Sequence, residues 1–454
     1  MLVIVSDLHL TDGTSGTTID ANAFRIFRYR LRDLAYAASW RKGGKYEPIE
    51  ELHVVLLGDI FDLIRSTEWL RDSLRPWDDL QGPGFSEKIK TITRGILTHN
   101  PHSLDALQKM ALHGDITVPR TPPSLERSHA TPIALKGDPS IRVKIHYQVG
   151  NHDWFFHLPG DEYNRIRQDV INAMGLANDP NAPFAHSPEE SQSLRKVYEE
   201  HGVWARHGDI FDPMNFEGNR NKSSIGDGIV IDLLTRFPLE VKKQLDAKLS
   251  PDVLADIMAG LKELDNVRPL IRIPDWIDGL LRRTCKHEEE QKLVKAVWDG
   301  IVEDFLENPS VRTKLGWLKM FCFKSVLEFS ASLPVDALCW CMNLIGGAVG
   351  EGDKTFYENA ITESAFKQKT AKFIVYGHTH HNEVVPLDLS FKGGSCFEQL
   401  YLNTGTWRRV FEMALGKPNE QEFVGYNVMT YAAFYKADER DGRSFEKWDG
   451  ALGV

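Results

Sequence analysis

Five short runs in this chain carry residues able to do chemistry. They are Asp7-Leu8-His9, Gly58-Asp59-Ile60-Phe61-Asp62, Gly150-Asn151-His152-Asp153, Arg206-His207-Gly208-Asp209 and Gly377-His378-Thr379-His380. Each follows an apolar, β-branched stretch that reads as a buried strand: residues 2–5, 54–57, 143–149, 202–205 and 373–376. Carboxylates, imidazoles and one carboxamide are thereby delivered to the C-terminal ends of strands, where open α/β sheets build their sites. Hard oxygen and borderline nitrogen donors in this mixture suit a pair of divalent metals. A pair of metals in turn points to phosphate-ester chemistry.

The spacing within each run assigns parts. Asp7 and His9 alternate at a strand end, so both side chains point to one side. Gly58 lets the backbone turn tightly, and the two oxygens of Asp59 can bridge two cations. Asp62 orients a ligand or the adjoining backbone; a helix N-cap is the alternative. The carboxamide of Asn151 binds a metal without adding charge. His152, next to it, points into the cleft as a proton donor for a leaving alkoxide, and Asp153 holds its other ring nitrogen. His207 ends its strand, whereas His201 precedes it, so His207 is the ligand candidate. His378 and His380 share a side of an extended turn, and His381 points the other way. Arg65, Arg408 and Arg409 are candidate phosphate contacts, because guanidinium matches phosphate geometry.

These runs need a scaffold of strands and helices. Helical patterns cover residues 21–38, 86–99 and 103–113, and a loop rich in Pro, Ser and Thr covers 119–139. A long excursion at 229–350 has helical patterns at 238–249, 251–264, 274–283, 288–307 and 319–331, with almost no strand signal. Pro238, Pro251 and Pro274 fit first-turn positions there. The chain thus divides into a first core part, 1–228, a helical insertion or cap, 229–350, and a second core part, 351–454. Short strand-like runs at 383–387, 398–403, 409–413 and 427–435 suggest a second sheet of antiparallel type.

Composition narrows the class. With 42% hydrophobic and 26% charged residues, the chain reads as an ordinary soluble globular protein. A net charge of −10 argues against a broad nucleic-acid footprint, which needs a basic face. Bound metals would supply local positive charge for a phosphate substrate. Cys285, Cys322, Cys339, Cys341 and Cys396 are odd in number and lack a repeated CxxC spacing, which excludes a disulfide framework or zinc knuckle. The apolar run 337–350 is too short to span a bilayer. No signal peptide is read ahead of Asp7, and the expected location is cytoplasmic.

The ordered series D-x-H, G-D-x-x-D, G-N-H-D, H-G and G-H-x-H resembles the calcineurin-like metallophosphoesterase superfamily over about residues 1–212 and 372–435. The resemblance implies an α/β fold, a β-sandwich flanked by helices, here with a large helical insertion. It implies that Asp7, His9, Asp59 and His380 hold one metal and that Asp59, Asn151, His207 and His378 hold a second. His152 would be the proton donor and a metal-bridging hydroxide the nucleophile. The implied metals are two divalent transition ions, Mn first, with Fe, Zn or Ni as alternatives. The core is most similar to UDP-2,3-diacylglucosamine hydrolases through Ile60-Phe61-Asp62, His207-Gly208-Asp209 and Asn403-Thr404-Gly405-Thr406-Trp407. Those enzymes are shorter and commonly carry Arg where this chain has His152. The implied activity is hydrolysis of a small or lipid-linked phosphoester, of phosphodiesterase or pyrophosphatase type. The alternatives are a metal-dependent nuclease, a protein phosphatase or an inactive scaffold.

Overall fold

Apolar runs buried on both faces pair most readily as parallel strands covered by other layers. In the computed structural model, β1 (Leu2–Val5), β2 (Glu51–Leu57) and β3 (Arg142–Gln148) pair in parallel, with Val3 opposite Val54 and Val54 opposite Ile145. The structure describes all residues except 79, 81, 83, 123–136, 270–271, 310, 314–351, 393–394, 417–419 and 453–454. Two further strands, β4 (Val203–Ala205) and β6 (Phe373–Tyr376), pair in parallel in a second sheet, while β5 (Val267–Arg268) lies between them in sequence. Next come β7 (Asn382–Lys392), β8 (Ser395–Thr404), β9 (Trp407–Met413), β10 (Phe423–Phe434) and β11 (Phe445–Leu452).

The fold is mixed α/β with two sheets. The first has the order β3-β2-β1-β10-β9-β5 with β11 also on β10, and the second has the order β4-β6-β8-β7. Antiparallel β10 serves two strands on one edge: residues 432–434 pair with β1 and residues 423–429 with β9, while β11 runs along its other edge. So β1 and β9 lie end to end, and the chain leaves β1 at the seam. There the Trp407 amide donates to the Asp7 carbonyl at 3.1 Å.

Period-two alternation separates the layers. Leu2, Ile4, Val55 and Leu57 of the first sheet share an apolar cluster with Val203, Phe373, Val375 and Leu402 of the second. Val3, Val5, Val54 and Leu56 face the other way, toward α1 (Asn22–Ala38), α2 (Phe85–His99), α3 (Pro101–Leu112) and α4 (Asp161–Met174). Neither α4 nor α5 (Gln192–His201) is legible in the sequence reading, although α5 carries both end signals. The Ser191 hydroxyl accepts from the Leu194 amide, and Gly202 closes the helix at φ 64°, where a Cβ is disfavoured.

Two expectations need correction. The late strands do not form one antiparallel sheet: β7 and β8 complete the second sheet, and β9 and β10 join the first. The excursion after residue 229 is not wholly helical either. Its β5 pairs in parallel with β9, Val267 opposite Phe411. Two residues are too few to give a period. Its helices α7 (Arg236–Leu245), α8 (Pro251–Leu261), α9 (Ile273–Thr284) and α10 (Glu288–Glu307), with α6 (Ile225–Gly228) just before it, build their own cluster, which takes in Phe411 of β9. Pro251 and Pro274 sit in first turns, but Pro238 lies within α7, after i→i+5 turns over Ile229–Thr235. Cys285 is buried and Cys396 exposed. The apolar run 337–350, the helical pattern 319–331 and Cys322, Cys339 and Cys341 lie outside the described residues. No helix among the described residues is long and apolar enough to cross a membrane.

Trp407 locks the seam. It is 1% exposed, its ring centroid lies 4.9 Å from Phe27 and 5.5 Å from Phe24, and its Nε1 donates to the Thr430 carbonyl at 2.6 Å. Trp407→Ala is expected to cost about 3–5 kcal/mol in urea denaturation. Trp407→Phe, which keeps most of the ring volume, is expected to cost less.

Candidate metal centre

Parallel strands point their C-terminal ends the same way, and hydrogen bonds then tie their exit loops together. The Asp7 and His9 amides donate to the Gly58 and Asp59 carbonyls at 3.1 and 2.9 Å, and the Gly377 amide donates to His207 at 2.9 Å. The His378 amide donates to Asp7 Oδ2 at 3.0 Å and so joins the two sheets. The loops are tight: Asp7, His9, Asp59, His378 and His380 all adopt left-handed φ between 45° and 70°. For non-glycine residues this conformation costs on the order of 1 kcal/mol each, and it clusters where the surroundings hold it for function. Gly58 has φ 83°, and a Cβ there would lie 2.6 Å from the His207 ring.

The seven expected ligands converge. Asp7, His9 and His380 form one group and Asp59, His207 and His378 another, with ligand atoms in each within 4.8 Å of one another. Asp59 Oδ2 lies between them, 3.7 Å from His9 Nε2 and 3.2 Å from His207 Nε2. Asn151 Oδ1 is 3.0 Å from His378 Nδ1.

Partners behind the site aim each donor at it. His207 Nδ1 donates to the Leu57 carbonyl at 2.9 Å, which leaves Nε2 as the free acceptor. Asp62 Oδ2 takes His9 Nδ1 at 3.1 Å with the same effect. Asp212 Oδ2 takes His378 Nε2 at 2.9 Å, which turns Nδ1 toward the Asn151 oxygen, so that a cation could lie between them. Asn151 is fixed in turn, its Nδ2 donating to Asn215 Oδ1 at 3.2 Å. Asp7 Oδ1 and His207 Nε2 are buried and make no hydrogen bond. Buried polar atoms are nearly always paired, so donors left bare around one point fit a bound metal.

Charge is concentrated here. Burial works against ionisation of Asp7, but His207, His380 and His9 hold its carboxyl well below the usual range. Asp59 and Asp62 are also buried and are held low, chiefly by His207 and by His152 respectively. Burial would lower the imidazoles, yet Asp62 and Asp59 push His152 up to about 10, and Asp59 and Asp7 push His207 up to about 10.

Four residues singled out in the sequence lie elsewhere than expected. Asp153 does not touch the His152 ring. It accepts from the Ile60 and Gly150 amides at 2.8 and 2.6 Å and from the Tyr147 hydroxyl at 2.7 Å, tying the two loops together. Asp62 instead takes His152 Nδ1 at 2.7 Å. Arg65 and Arg408 are buried and turned toward Asp265, at 3.6 and 2.6 Å, so a carboxylate of the chain occupies the place expected of a phosphate. Arg409 stacks over Phe411, its guanidinium 4.8 Å from the ring centre.

The sequence reading missed Asp212, Asn215 and Arg268. Arg268 of β5 sets its Nη2 against His380 Nδ1, and burial lowers its pKa only to about 10, so it stays cationic at neutral pH. None of the three has a spacing signal, because their partners come from remote segments. His201 is buried against the Val197 carbonyl, and His381 is exposed. His152 also lies within ligand reach of His9 and Asp59.

Comparison with protein-family models and with curated proteins gives no match.

The charge pattern fixes a pH dependence for metal-stripped protein. His152 and His207 have folded pKa values raised to about 10, so their contribution is full below the unfolded value of about 6.5 and is lost as pH rises toward 10. The depressed Asp7, Asp59 and Asp62 contribute above the unfolded value of about 3.9 and lose that contribution in acid. Thermal denaturation without metal is therefore expected to peak in midpoint between about pH 4 and 6.5. A metal that replaces the imidazole protons should move that optimum upward. Identical pH profiles with and without metal would speak against a cation at this centre.

Proposed function

We propose that this chain is a dinuclear-metal-dependent phosphoester hydrolase with the sandwich fold of the calcineurin-like metallophosphoesterases, acting as a phosphodiesterase or pyrophosphatase. The observation that carries the reading is the position of Asp59 between two ligand groups, with His152 held beside it by Asp62. Asp7, His9, Asp59 and His380 would hold one ion, and Asp59, Asn151, His207 and His378 the other. Manganese suits these oxygen and nitrogen donors, as do iron, zinc or nickel. When bound, such a pair supplies charge neutralisation for the phosphoryl group and activated water.

The chain's own residues account for the rest of the step. Asp62 fixes the His152 ring through Nδ1, leaving Nε2 to carry a proton to the leaving oxygen. Asp62, which stays on Nδ1, favours the protonated ring. Arg268, a cation against His380, is the candidate for the phosphate contact in place of Arg65 and Arg408. The insertion also supplies Asp265 and Asn266, which hold Arg408, and this anchoring supports its reading as a cap. The net charge of −10 favours a small or lipid-linked phosphoester over nucleic acid.

His152→Ala is expected to keep its metal and lose about 10²–10⁴-fold in turnover on alkyl phosphodiesters. On bis-p-nitrophenyl phosphate, whose leaving group needs little protonation, the loss should be much smaller. Equal losses on both, or loss of metal from the variant by elemental analysis, would make His152 a ligand instead of a proton donor.

Asp59→Ala is expected to lose two metal ions per chain and all hydrolysis of the nitrophenyl ester. Loss of only one ion would contradict a shared carboxylate.

A further inference from the structure

A second group of metal-capable side chains lies outside the centre. His157 ends the short turn Trp154–His157, which follows directly after Asn151 and His152. His186 and Glu190 come from a neighbouring segment that backbone hydrogen bonds pin to that loop. The Phe184 amide donates to the Phe156 carbonyl at 3.1 Å, and the Val149 amide donates to Ala185 at 3.0 Å. One ligand atom each from His157, His186 and Glu190 lie within 4.8 Å of one another. We infer that His157, His186 and Glu190 form a separate metal site that takes a zinc ion in a structural role.

The donors are already aimed. His157 Nδ1 lies 2.6 Å from Asn221 Oδ1, which directs Nε2 to Glu190 Oε2 at 3.4 Å. A metal ion can take the place of an imidazole proton between that nitrogen and the carboxylate. Glu190 is held from behind: the His186 amide donates to Oε2 at 2.9 Å, while Oε1 lies 2.8 Å from His186 Nδ1. A tetrahedral zinc with bonds of about 2.0–2.1 Å spaces its ligands about 3.4 Å apart. The His157–Glu190 separation already matches that spacing, and the His186–Glu190 contact needs to open by about half an ångström.

Two imidazoles and one carboxylate suit zinc better than magnesium or calcium. The side chains of His157 and His186 are 17% and 22% exposed, so an ion can enter and water can complete its shell. The site would staple the turn after His152 to the 186–190 segment. Asn221 links it to Arg220, whose Nη1 donates to the Gly150 carbonyl at 3.2 Å. The zinc would thus stiffen the loop carrying Asn151 and His152 without touching a reacting atom.

The test uses full-length protein stripped of metal, reloaded with Zn²⁺ and freed of excess. Zinc per chain is counted in wild type, in His186→Ala and in the double variant His157→Gln/Glu190→Gln, which keeps side-chain volume and polarity. Each variant should hold one zinc fewer than wild type, and added zinc should raise its melting temperature less. In Asp59→Ala, where the central ions are lost, one zinc should remain that His186→Ala then removes. Equal zinc counts in wild type and the double variant overturn the site, whatever the Asp59 centre holds. Retention of the same zinc by Asp59→Ala/His186→Ala overturns it equally.

Discussion

Three carboxylates, those of Asp7, Asp59 and Asp62, are packed where almost no water reaches, at 1% exposure or less. A buried charge is costly unless it is paired. Here most of the pairing charge comes from imidazoles, which are cationic only while they hold protons. The groups behind them, the Leu57 carbonyl, Asp62 and Asp212, keep their lone pairs turned inward. The arrangement is therefore consistent in two charge states, protonated or metal-loaded, and the second satisfies the bare atoms of Asp7 and His207.

The scaffold accepts strain to hold this charge. Five of the converging residues, in three loops, sit in left-handed backbone, a conformation that isolated loops could not sustain. Each loop is zipped to another, and the zips cross between the two sheets at His378 and Asp7. Asp153 is part of this work: it caps two amides and a tyrosine hydroxyl far more effectively than it could orient a ring. Its pKa is raised to about 6 by burial and by Asp59, as expected for a carboxylate enclosed by the loops it ties together.

What the sequence made legible followed distance along the chain. Three of the strands before the runs, β1, β2 and β6, carry apolar, β-branched stretches of four residues or more, so their burial and their ends could be read locally. The ligand residues travel with those strands. The misreadings concern partners far apart in sequence. His152 lies next to Asp153, yet its partner Asp62 is 90 residues away. Arg408 meets Asp265 across 143 residues, through a strand only two residues long. The helical patterns of the insertion were legible because 3.6-residue periodicity is local. That the same segment also edges the first sheet was not, because pairing with β9 leaves no trace in a two-residue run.

The end-to-end seating of β1 and β9 on β10 sets an order of assembly. Asp7 lies at the end of β1, whereas the strand that β1 and β9 share ends only at Phe434. Until β10 arrives, the seam beside Asp7 has no partner to close on, and His378 and His380 reach the other sheet only shortly before it. Contacts spanning most of a chain's length form late, since the loop entropy they cost is not repaid until both ends are present. The seam beside the Asp7 carboxylate therefore closes only when β10 seats against both β1 and β9.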